Sequence, residues 1–277
     1  MHAYRCWEET KIADNFVERI LYLLEQQHSQ TLSDQVSIYE NLRKKIEIDD
    51  PSIETEIFDN AVTSIYTAGF RSETAEKYST KLLERFGLNL QEIVDWGEHR
   101  LAKEIGMGRR KNKKVVELCR YIIHIGGVTP FCAWVKSLHS GEDAFSLGPK
   151  SDEDFLKCLG YFQHFPVDTL TARFFDRVGL LKYAAKKYDT VINPLGTDRY
   201  ERLHELMIRV YLEAGDTILR IGGKEYPVKN NLGLIDILVW LHCNENKRYR
   251  EESICRSKPL CKKCNLTTHC AFYKRHM

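Results

Sequence analysis

The sequence predicts an all-α protein, because helical periodicity recurs along the chain while strand signal is scarce. In the first helix the apolar residues Ile12, Phe16, Ile20 and Leu24 follow one another at intervals of four. This spacing places them on one stripe of an amphipathic helix that faces a core. Comparable patterns predict helices at 11–27, 33–46, 55–68, 72–86, 91–104, 111–124, 130–139, 151–162, 169–186, 198–213 and 232–243.

One segment, 217–228, departs from the helical pattern. Here Gly222-Gly223 divides two short arms of β-prone residues, which predicts a small hairpin. The chain contains no repeat, no low-complexity tract and no long linker. Any domain boundary therefore has to be crossed by well-packed helices.

The composition fits a sizeable folded protein without a strong charge bias. A chain of 277 residues with 43% hydrophobic side chains can bury a substantial core and is long enough for two lobes. The net charge of +2 argues against general binding of polyanions but leaves room for local basic faces. Two basic runs occur, and in isolation each is more typical of a solvated face than of a binding site. They consist of Arg109, Arg110, Lys111, Lys113 and Lys114, and of Lys258, Lys262, Lys263, Lys274 and Arg275.

The beginning of the sequence, MHAYRCWEETKIADNF, has no apolar core of signal-peptide length. No run approaches the roughly 18 apolar residues that a membrane span requires. We therefore expect an intracellular protein, cytoplasmic or associated with the nucleoid, that has no membrane partner and keeps its thiols reduced.

Four of the nine cysteines lie in the last 23 residues, in the pattern C-x5-C-x2-C-x5-C formed by Cys255, Cys261, Cys264 and Cys270. In a reducing compartment such a group predicts metal ligands rather than disulfides. Four thiolates suit a tetrahedral zinc ion or an iron–sulfur cluster. One central pair between two five-residue loops favours a 4Fe-4S cluster, with zinc as the alternative. The other five cysteines are Cys6, Cys119, Cys132, Cys158 and Cys243; their scattered apolar settings predict small core side chains.

A second informative pattern begins with a turn at Leu147-Gly148-Pro149 that leads into a helix near Ser151. Free backbone N–H groups at such a helix start can hold a phosphate, and Gly148 allows close approach of the backbone. Lys150 stands at the mouth of this turn. An ordinary connection between two helices is the alternative interpretation.

Asp168 follows Lys150 by 18 residues and opens the next predicted helix. A carboxylate at this position can serve as an N-cap, which is a purely structural role. It can also supply negative charge to a reaction that develops positive charge.

Taken together, these features resemble the helix-hairpin-helix DNA glycosylases of the endonuclease III type. That family has a hairpin L-P-G-[VI]-G-x-K-[TS], a later V-D-T segment, and a C-x6-C-x2-C-x5-C loop around a 4Fe-4S cluster. The counterparts here are 144–151, Val167-Asp168-Thr169 and the four C-terminal cysteines. The resemblance covers about residues 55–182 and 232–272.

The resemblance implies a two-lobed fold of the helix-hairpin-helix glycosylase type. A six-helix barrel lobe with the hairpin would comprise 55–165, and a cluster lobe would comprise 1–54 and 166–277, ending in the 4Fe-4S loop at 255–270. Lys150 and Asp168 would be catalytic and would face each other across the cleft between the lobes. The expected partner is double-stranded DNA with a damaged or modified base, bound by a monomer. The expected DNA-binding residues are Leu147, Gly148, Ser151, Arg109, Arg110, Lys258, Lys262 and Lys263.

The implied activity is base excision with strand nicking. Asp168 would stabilise the positive charge that builds on the sugar as the N-glycosidic bond breaks, and Lys150 would form a Schiff base at C1′ that permits β-elimination. Two alternatives are a monofunctional glycosylase, in which Asp168 activates water, and a non-enzymatic nucleic-acid-binding protein stapled by zinc.

The chain also departs from the family pattern at several positions. Phe145 and Ser146 stand where the family has proline and its first glycine, and Leu170 replaces a common histidine. Ala68-Gly69-Phe70 occupies the place of a glutamine that fills the gap left by an extruded base. The segment 186–231 is longer than the family minimum. Together, these departures suggest a divergent member with its own substrate. Candidates for stacking on an extruded base are Phe162, His164 and Trp240.

Overall fold

The computed structural model describes residues 16–67, 72–126, 130–142, 145–188, 199–244 and 253–276. The α-helices are α1 (Phe16–Glu47), α2 (Glu54–Thr67), α3 (Ser72–Phe86), α4 (Leu90–Glu104), α5 (Gly108–His124), α6 (Phe131–Ser140), α7 (Pro149–Cys158), α8 (Thr169–Val178), α9 (Leu180–Tyr188), α10 (Arg199–Tyr211), α11 (Leu232–Cys243) and α12 (Ala271–His276). Strands β1 (Ile218–Ile221) and β2 (Lys224–Pro227) form a two-stranded antiparallel sheet. Both the all-α fold class and the small hairpin at 217–228 are confirmed.

Contacts between residues divide the chain into two compact units. The continuous unit is Val36–Pro166, and the discontinuous unit comprises the described residues of Met1–Gln35 and Val167–Met277. The segment 55–165, expected to form the six-helix barrel lobe, lies within the continuous unit. The predicted lobe boundaries stay a prediction.

Helix α2 lies at the centre of the continuous unit, where it packs against α3, α5, α6 and α7. It can contact helices on several sides because apolar side chains occupy much of its circumference. Among them, Ile57, Phe58, Ala61, Val62 and Ile65 are all buried. Burial of each large side chain contributes about 1.5–3 kcal/mol to stability. The core therefore fixes the helices that carry the hairpin.

The start of α5 depends on a left-handed turn. Gly106, Met107 and Gly108 all have positive φ, and the buried Asn112 side chain donates to the Gly106 and Gly108 carbonyls at 2.6 and 2.9 Å. The Asn112 Oδ1 accepts a hydrogen bond of 2.8 Å from the Tyr66 hydroxyl. These hydrogen bonds fix the orientation of the first turn of α5, which carries the first residues of the first basic run.

The discontinuous unit contains the β-hairpin and the almost completely buried helix α11. Strands β1 and β2 pair in a register that joins Ile218 to Pro227 and Ile221 to Lys224. Gly222 and Gly223 form the turn with φ of +58° and +78°, values that L side chains rarely adopt. The predicted division of the hairpin at these two glycines is therefore confirmed.

Several predicted helix boundaries differ in the structure; the helix predicted at 151–162, for example, is α7 and ends at Cys158. Two differences change how the helices are divided. The helix predicted at 169–186 is divided into α8 and α9, because Gly179 adopts φ of +94° and ends α8. The helices predicted at 11–27 and 33–46 are joined in α1, with a local kink at His28 (φ −124°, ψ 16°). Residues 11–15 lie outside the described part of the chain. No glycine or proline follows the kink within α1, so helical hydrogen bonding resumes.

Most of the scattered cysteines that the structure describes are buried. Cys119, Cys132 and Cys243 are buried and Cys158 is partly exposed, whereas Cys6 lies outside the described residues. The helices in the described parts of the chain are all too short or too polar to cross a bilayer.

Candidate active site and metal centre

The hairpin turn before α7 is held by hydrogen bonds between residues that are close in sequence. The Asp152 carboxylate accepts hydrogen bonds from the Ser146 hydroxyl and from the Leu147 backbone N–H, the latter at 2.7 Å. The Ser146 oxygen accepts from the Gly148 N–H at 2.9 Å. Burial raises the pKa of Asp152, although the bonds from Ser146 and Leu147 act in the opposite direction. At the position of the family's first glycine, Ser146 thus contributes a hydrogen-bonding hydroxyl.

Lys150 lies in the first turn of α7, directly after this turn. Gly148 is the N-cap of α7 with φ of +110° and ψ of 149°. Glycine adopts this conformation without strain, and Pro149 at the first helical position lacks an N–H that would go unused. The Lys150 side chain is partly exposed. The helix start thus presents a lysine that solvent can reach.

Further charged groups surround Lys150 within the continuous unit. Burial, followed by the positive charges of Lys150 and Arg110, lowers the pKa of Lys111 to about 8. The Lys111 ammonium donates to the last carbonyls of α2. Although burial opposes ionisation of Asp154, the charges of Lys157 and then Lys150 lower its pKa. Cationic and acidic side chains therefore lie side by side at the start of α7.

Two of the predicted DNA-binding residues turn their side chains into the continuous unit. Leu147 is 5% exposed and belongs to the core, and Ser151 is 7% exposed with its hydroxyl donating to the Ser64 carbonyl at 3.3 Å. Contact of either residue with a phosphate would therefore involve the backbone. Arg109 and Arg110 are exposed in the first turn of α5, and Arg109 pairs with Glu98 at 3.3 Å.

Asp168 is the N-cap of α8 in the discontinuous unit. Its Oδ1 accepts hydrogen bonds from the Thr171 backbone N–H at 2.7 Å and from the Thr171 hydroxyl at 2.8 Å. The same hydroxyl lies 2.9 Å from Asp236 Oδ1 on α11. Asp168 therefore has the structural role of a cap and remains partly exposed. Lys150 and Asp168 belong to different units, so the expectation that they face each other stays a prediction.

The four C-terminal cysteines all lie in the discontinuous unit as free thiols. Cys255 is buried, and the other three are partly exposed. Burial, then the negative charges of Cys255, Cys270 and Cys261, raise the pKa of Cys264 to about 12. A bound metal cation would offset these effects and favour the thiolate. Over the described ranges, no group of three or more His, Cys, Asp or Glu side chains has the arrangement expected around a metal ion.

Two arginines of α8 hold the first part of the cysteine loop. Arg177 donates to the carbonyls of Cys255 at 3.2 Å and Arg256 at 2.7 Å, and its Nη1 lies 3.5 Å from Cys255 Sγ. Arg173 donates to the Cys243 and Cys255 carbonyls, both at 3.3 Å. A hydrogen bond from the Cys243 thiol, together with Arg177, lowers the pKa of Cys255, whereas burial opposes this change. The thiolate that metal binding needs is thus favoured at Cys255.

The second part of the loop contacts α1 and α11. Gln27 donates to the Lys263 carbonyl at 2.9 Å and accepts from the Asn265 N–H at 3.0 Å. His242 Nε2 lies 3.6 Å from Cys264 Sγ, and its Nδ1 lies 3.0 Å from His28 Nε2. N–H donors near sulfur are typical of bound iron–sulfur centres. Such donors would suit an iron–sulfur cluster, and the predicted cluster itself stays a prediction.

The basic side chains of the loop and the predicted stacking residues differ in exposure. Lys258, Lys262 and Lys263 are exposed. Phe162 is buried, whereas Trp240 is partly exposed. His164 is partly buried and contacts Glu153 at 3.3 Å and His139 at 3.1 Å. The segment Ala68-Gly69-Phe70, predicted at the place of the gap-filling glutamine, lies outside the described residues.

Sequence reasoning missed the roles of Asp152, Thr171 and Asp236. The motif D-E-D after Lys150 has the ordinary appearance of acidic residues in a first helical turn. The signal at Asp236 was clearer, because it is a lone acid within the apolar run LGLIDILVWL. An acid in such a run is costly to bury and predicts a specific partner.

Comparison with known proteins supports the interpretation of the central segment. A family model described as HhH-GPD superfamily base excision DNA repair protein matches residues 62–193, just under half of the chain. No curated protein and no solved structure matches the chain. The matched segment includes both Lys150 and Asp168 and ends before the cysteine loop. The resemblance predicted from the sequence is thus confirmed at the level of this superfamily, since residues 62–193 match the model of the HhH-GPD base excision DNA repair proteins.

Proposed function

We propose that this protein is a DNA glycosylase with associated lyase activity, which removes a damaged or modified base and then nicks the strand. The observation that carries the proposal is the position of two residues within the matched segment. Lys150 begins the helix after the hairpin, and Asp168 caps the next helix. These are the positions at which the glycosylase pattern has its lysine and its aspartate.

Asp168 assists cleavage of the N-glycosidic bond. As the bond from C1′ to the base nitrogen breaks, positive charge develops on the sugar, and a fixed carboxylate stabilises that charge. The hydrogen bonds from Thr171 hold one oxygen of Asp168 at the N-terminus of α8.

Lys150 acts as the nucleophile. Its neutral amine attacks C1′ as the bond from C1′ to the base breaks, and the base leaves with the proton that the amine gives up. The C1′–O4′ bond then opens, O4′ takes a proton from water, and C1′ remains joined to the lysine as a protonated Schiff base. Loss of a proton from C2′ then expels the 3′ phosphate. The positive charges at Lys111 and Arg110 attract the DNA backbone to this part of the continuous unit.

DNA binding combines positioning contacts with extrusion of the base. The backbone N–H groups at the hairpin and the exposed Arg109, Arg110, Lys258, Lys262 and Lys263 contact phosphates, which positions the duplex without reading its sequence. Extruding a base costs a few kcal/mol, and the cost is lowest for damaged or mismatched bases. The protein acts as a monomer on double-stranded DNA.

The C-terminal cysteines hold a 4Fe-4S cluster. Cys255, Cys261, Cys264 and Cys270 supply its four thiolates, while Arg177 and the Leu266 N–H lie within 3.5 and 3.4 Å of sulfur atoms. When bound, the cluster supplies the positive centre that offsets repulsion between the thiolates. With the cluster bound, the ordered cysteine loop would present its basic side chains to DNA.

Trapping with borohydride tests the lyase assignment. Borohydride reduces a Schiff base to a stable amine, so wild-type protein should become covalently linked to a duplex that contains one abasic site. Lys150→Gln should abolish this product, whereas Lys103→Gln, a matched change on the exposed face of α4, should leave it unchanged. Efficient trapping by Lys150→Gln would refute the role of Lys150.

Two further measurements separate the alternatives. Product gels run without alkali distinguish a monofunctional glycosylase, which releases the base and leaves the strand intact, from the proposed activity. Iron and sulfide analysis of anaerobically purified protein tests the cluster, and stoichiometric zinc would refute it. A panel of lesion duplexes identifies the excised base.

A further inference from the structure

Three charged side chains lie along one face of α7, beginning with the candidate nucleophile. Lys150, Asp154 and Lys157 follow one another at intervals of four and three positions within this helix. Residues at these intervals are neighbours on a helix surface, with about 5–6 Å between their Cβ atoms. All three belong to the continuous unit. The Asp154 carboxylate can therefore pair with the lysine on either side of it.

In the structure this carboxylate pairs with Lys157. The Lys157 Nζ lies 2.9 Å from Asp154 Oδ1, and the two side chains are only 8% and 25% exposed. The Ser64 hydroxyl on α2 also donates to Asp154. Shielding from water strengthens the attraction between opposite charges and reduces its screening by salt. Lys157 therefore neutralises much of the charge of Asp154.

Lys150 is left without a close partner. Its ammonium makes no hydrogen bond or ion pair with another described residue, and the charged groups that act on it are Asp154 and, from α5, Lys111. The nearby acid Asp152 accepts hydrogen bonds from the hairpin turn instead. Helices α2 and α6 also pack against α7, and their described residues add no charged side chain that acts on Lys150. Asp154 is thus the carboxylate of the described residues that could hold Lys150 in an ion pair.

We propose that Lys157 pairs with Asp154 and thereby keeps the Lys150 amine unpaired and able to react. An amine attacks carbon only in its unprotonated form, and a carboxylate beside it favours the ammonium. Lys157 and Asp154 act through Lys150 and are positioning residues. The attack of Lys150 on DNA rests on the proposed function, whereas the effect of Lys157 on the Lys150 amine is a property of the free protein.

The pairing predicts opposite results for single and double removal of charge. Without Lys157, the nearest cation to Asp154 along this face of α7 is Lys150, whose flexible side chain can reach the carboxylate. Lys150 would then be held as an ammonium ion. Removal of both the Lys157 and Asp154 charges would leave Lys150 unpaired again. An ion pair with a purely structural role would change stability and leave the Lys150 amine as it was.

Competitive labelling of the free, full-length protein measures the Lys150 amine directly. Acetic anhydride acylates neutral amines, and mass spectrometry of the peptide that contains Lys150 gives the labelling rate at each pH. Lys157→Met should lower this rate at about pH 7 by about 3-fold to 10-fold, and should raise the midpoint of the pH profile by about half to one unit. Adding Asp154→Asn to Lys157→Met should return both quantities to the wild-type values.

A matched control and a second variant keep this test decisive. Lys136→Met removes another lysine ion pair of the continuous unit, formed with Asp49 at 2.8 Å, and should leave the Lys150 profile unchanged. The same profile in Lys157→Met as in wild-type protein would overturn the proposal. If Lys157→Met does not fold, the double variant decides. A midpoint lower than that of wild-type protein by about half a unit or more would show that Lys157 does not neutralise Asp154.

Borohydride trapping on an abasic duplex connects the amine to the proposed function. The trapping rate should fall in Lys157→Met and recover in the double variant, in parallel with the labelling rate. Normal trapping by Lys157→Met would overturn the catalytic consequence of the pairing. If wild-type protein is not trapped at all, the proposed function fails, and the labelling profiles still decide whether Lys157 controls the Lys150 amine.

Discussion

The hairpin turn of the continuous unit and the cysteine loop of the discontinuous unit are ordered in different ways. In the hairpin, Leu147 and Asp152 are five residues apart, and Ser146 completes the network locally. In the cysteine loop, Arg177 binds a carbonyl 78 residues away, and Gln27 binds one 236 residues away. The hairpin can form as soon as α7 begins, whereas the loop requires α1, α8 and α11 to be packed.

Substitutions should therefore affect the hairpin turn and the cysteine loop differently. A local network loses one or two hydrogen bonds when a residue is replaced, and its neighbours in sequence keep the chain nearby. A loop that depends on distant side chains loses its anchor and regains the conformational entropy of several residues. We therefore expect substitutions at the loop anchors to have larger structural effects than substitutions in the hairpin.

The largest expected effect is on catalysis and involves Asp168, which belongs to the unit that contains the loop. Asp168→Asn should lower the rate of base release about 100-fold to 1,000-fold, because the amide lacks the charge that stabilises the developing cation. Asparagine is as good an N-cap as aspartate, so thermal unfolding should change little. Single-turnover kinetics and a melting curve provide the measurement. A variant with near-normal turnover would show that Asp168 serves only as a cap.

The next effect tests the anchoring of the cysteine loop. Arg177→Met should lower the free energy of unfolding by roughly 3 kcal/mol, because several backbone carbonyls of the loop lose a charged donor. Urea denaturation of the full-length protein measures this change. The control Arg275→Met removes an exposed arginine of α12 and should cost less than about 0.5 kcal/mol. Similar losses in both variants would contradict the anchoring role of Arg177.

A smaller effect concerns the hairpin and its expected phosphate. Asp152→Asn keeps an oxygen that can accept the Leu147 N–H but removes a negative charge beside the turn. DNA binding should tighten about 3-fold to 10-fold at low salt, and the gain should shrink as salt screens the charge. Binding titrations at two salt concentrations measure it, with Glu104→Gln as an exposed control on α4. If the affinity for DNA is unchanged in Asp152→Asn, no DNA phosphate binds close to the hairpin turn.

The smallest effect is a pH dependence near Lys150. The pKa of Lys111 is lowered to about 8 in the folded protein, from an ordinary value of 10.5. Between these values the unfolded chain binds more protons, so the contribution of Lys111 to stability rises with pH. Relative to Lys111→Met, the wild-type protein should gain up to about 1 kcal/mol across this window, after allowance for partial exposure. Urea denaturation of both proteins at several pH values measures the difference; a constant difference would contradict the shift.

Much of the local structure could be predicted from the sequence. The glycines Gly222-Gly223 marked the β-hairpin, and apolar spacing marked most of the helices. The division at Gly179 was missed because an isolated glycine can lie within a helix or end it, and packing decides between the two. The continuity of α1 through His28 was missed for a similar reason.

The candidate site was only partly visible in the sequence. Lys150 and Asp168 were nominated because the spacing of the hairpin and the V-D-T segment resembles a known family. The pairing of Thr171 with Asp236 could not be predicted, since the two residues are 65 positions apart and meet only when α8 packs against α11. The anchoring of the cysteine loop by Gln27 was hidden for the same reason.

The sequence by itself determined the helical fold class, the turn chemistry at Gly148, and the spacing of the four C-terminal cysteines. These features follow from preferences that act within a few residues, such as apolar periodicity, capping and backbone freedom. The tertiary structure alone decided which side chains hold the cysteine loop and which acid lies against Thr171. The reason is physical: burial and long-range hydrogen bonds depend on which helices pack together, and a linear pattern does not contain that choice.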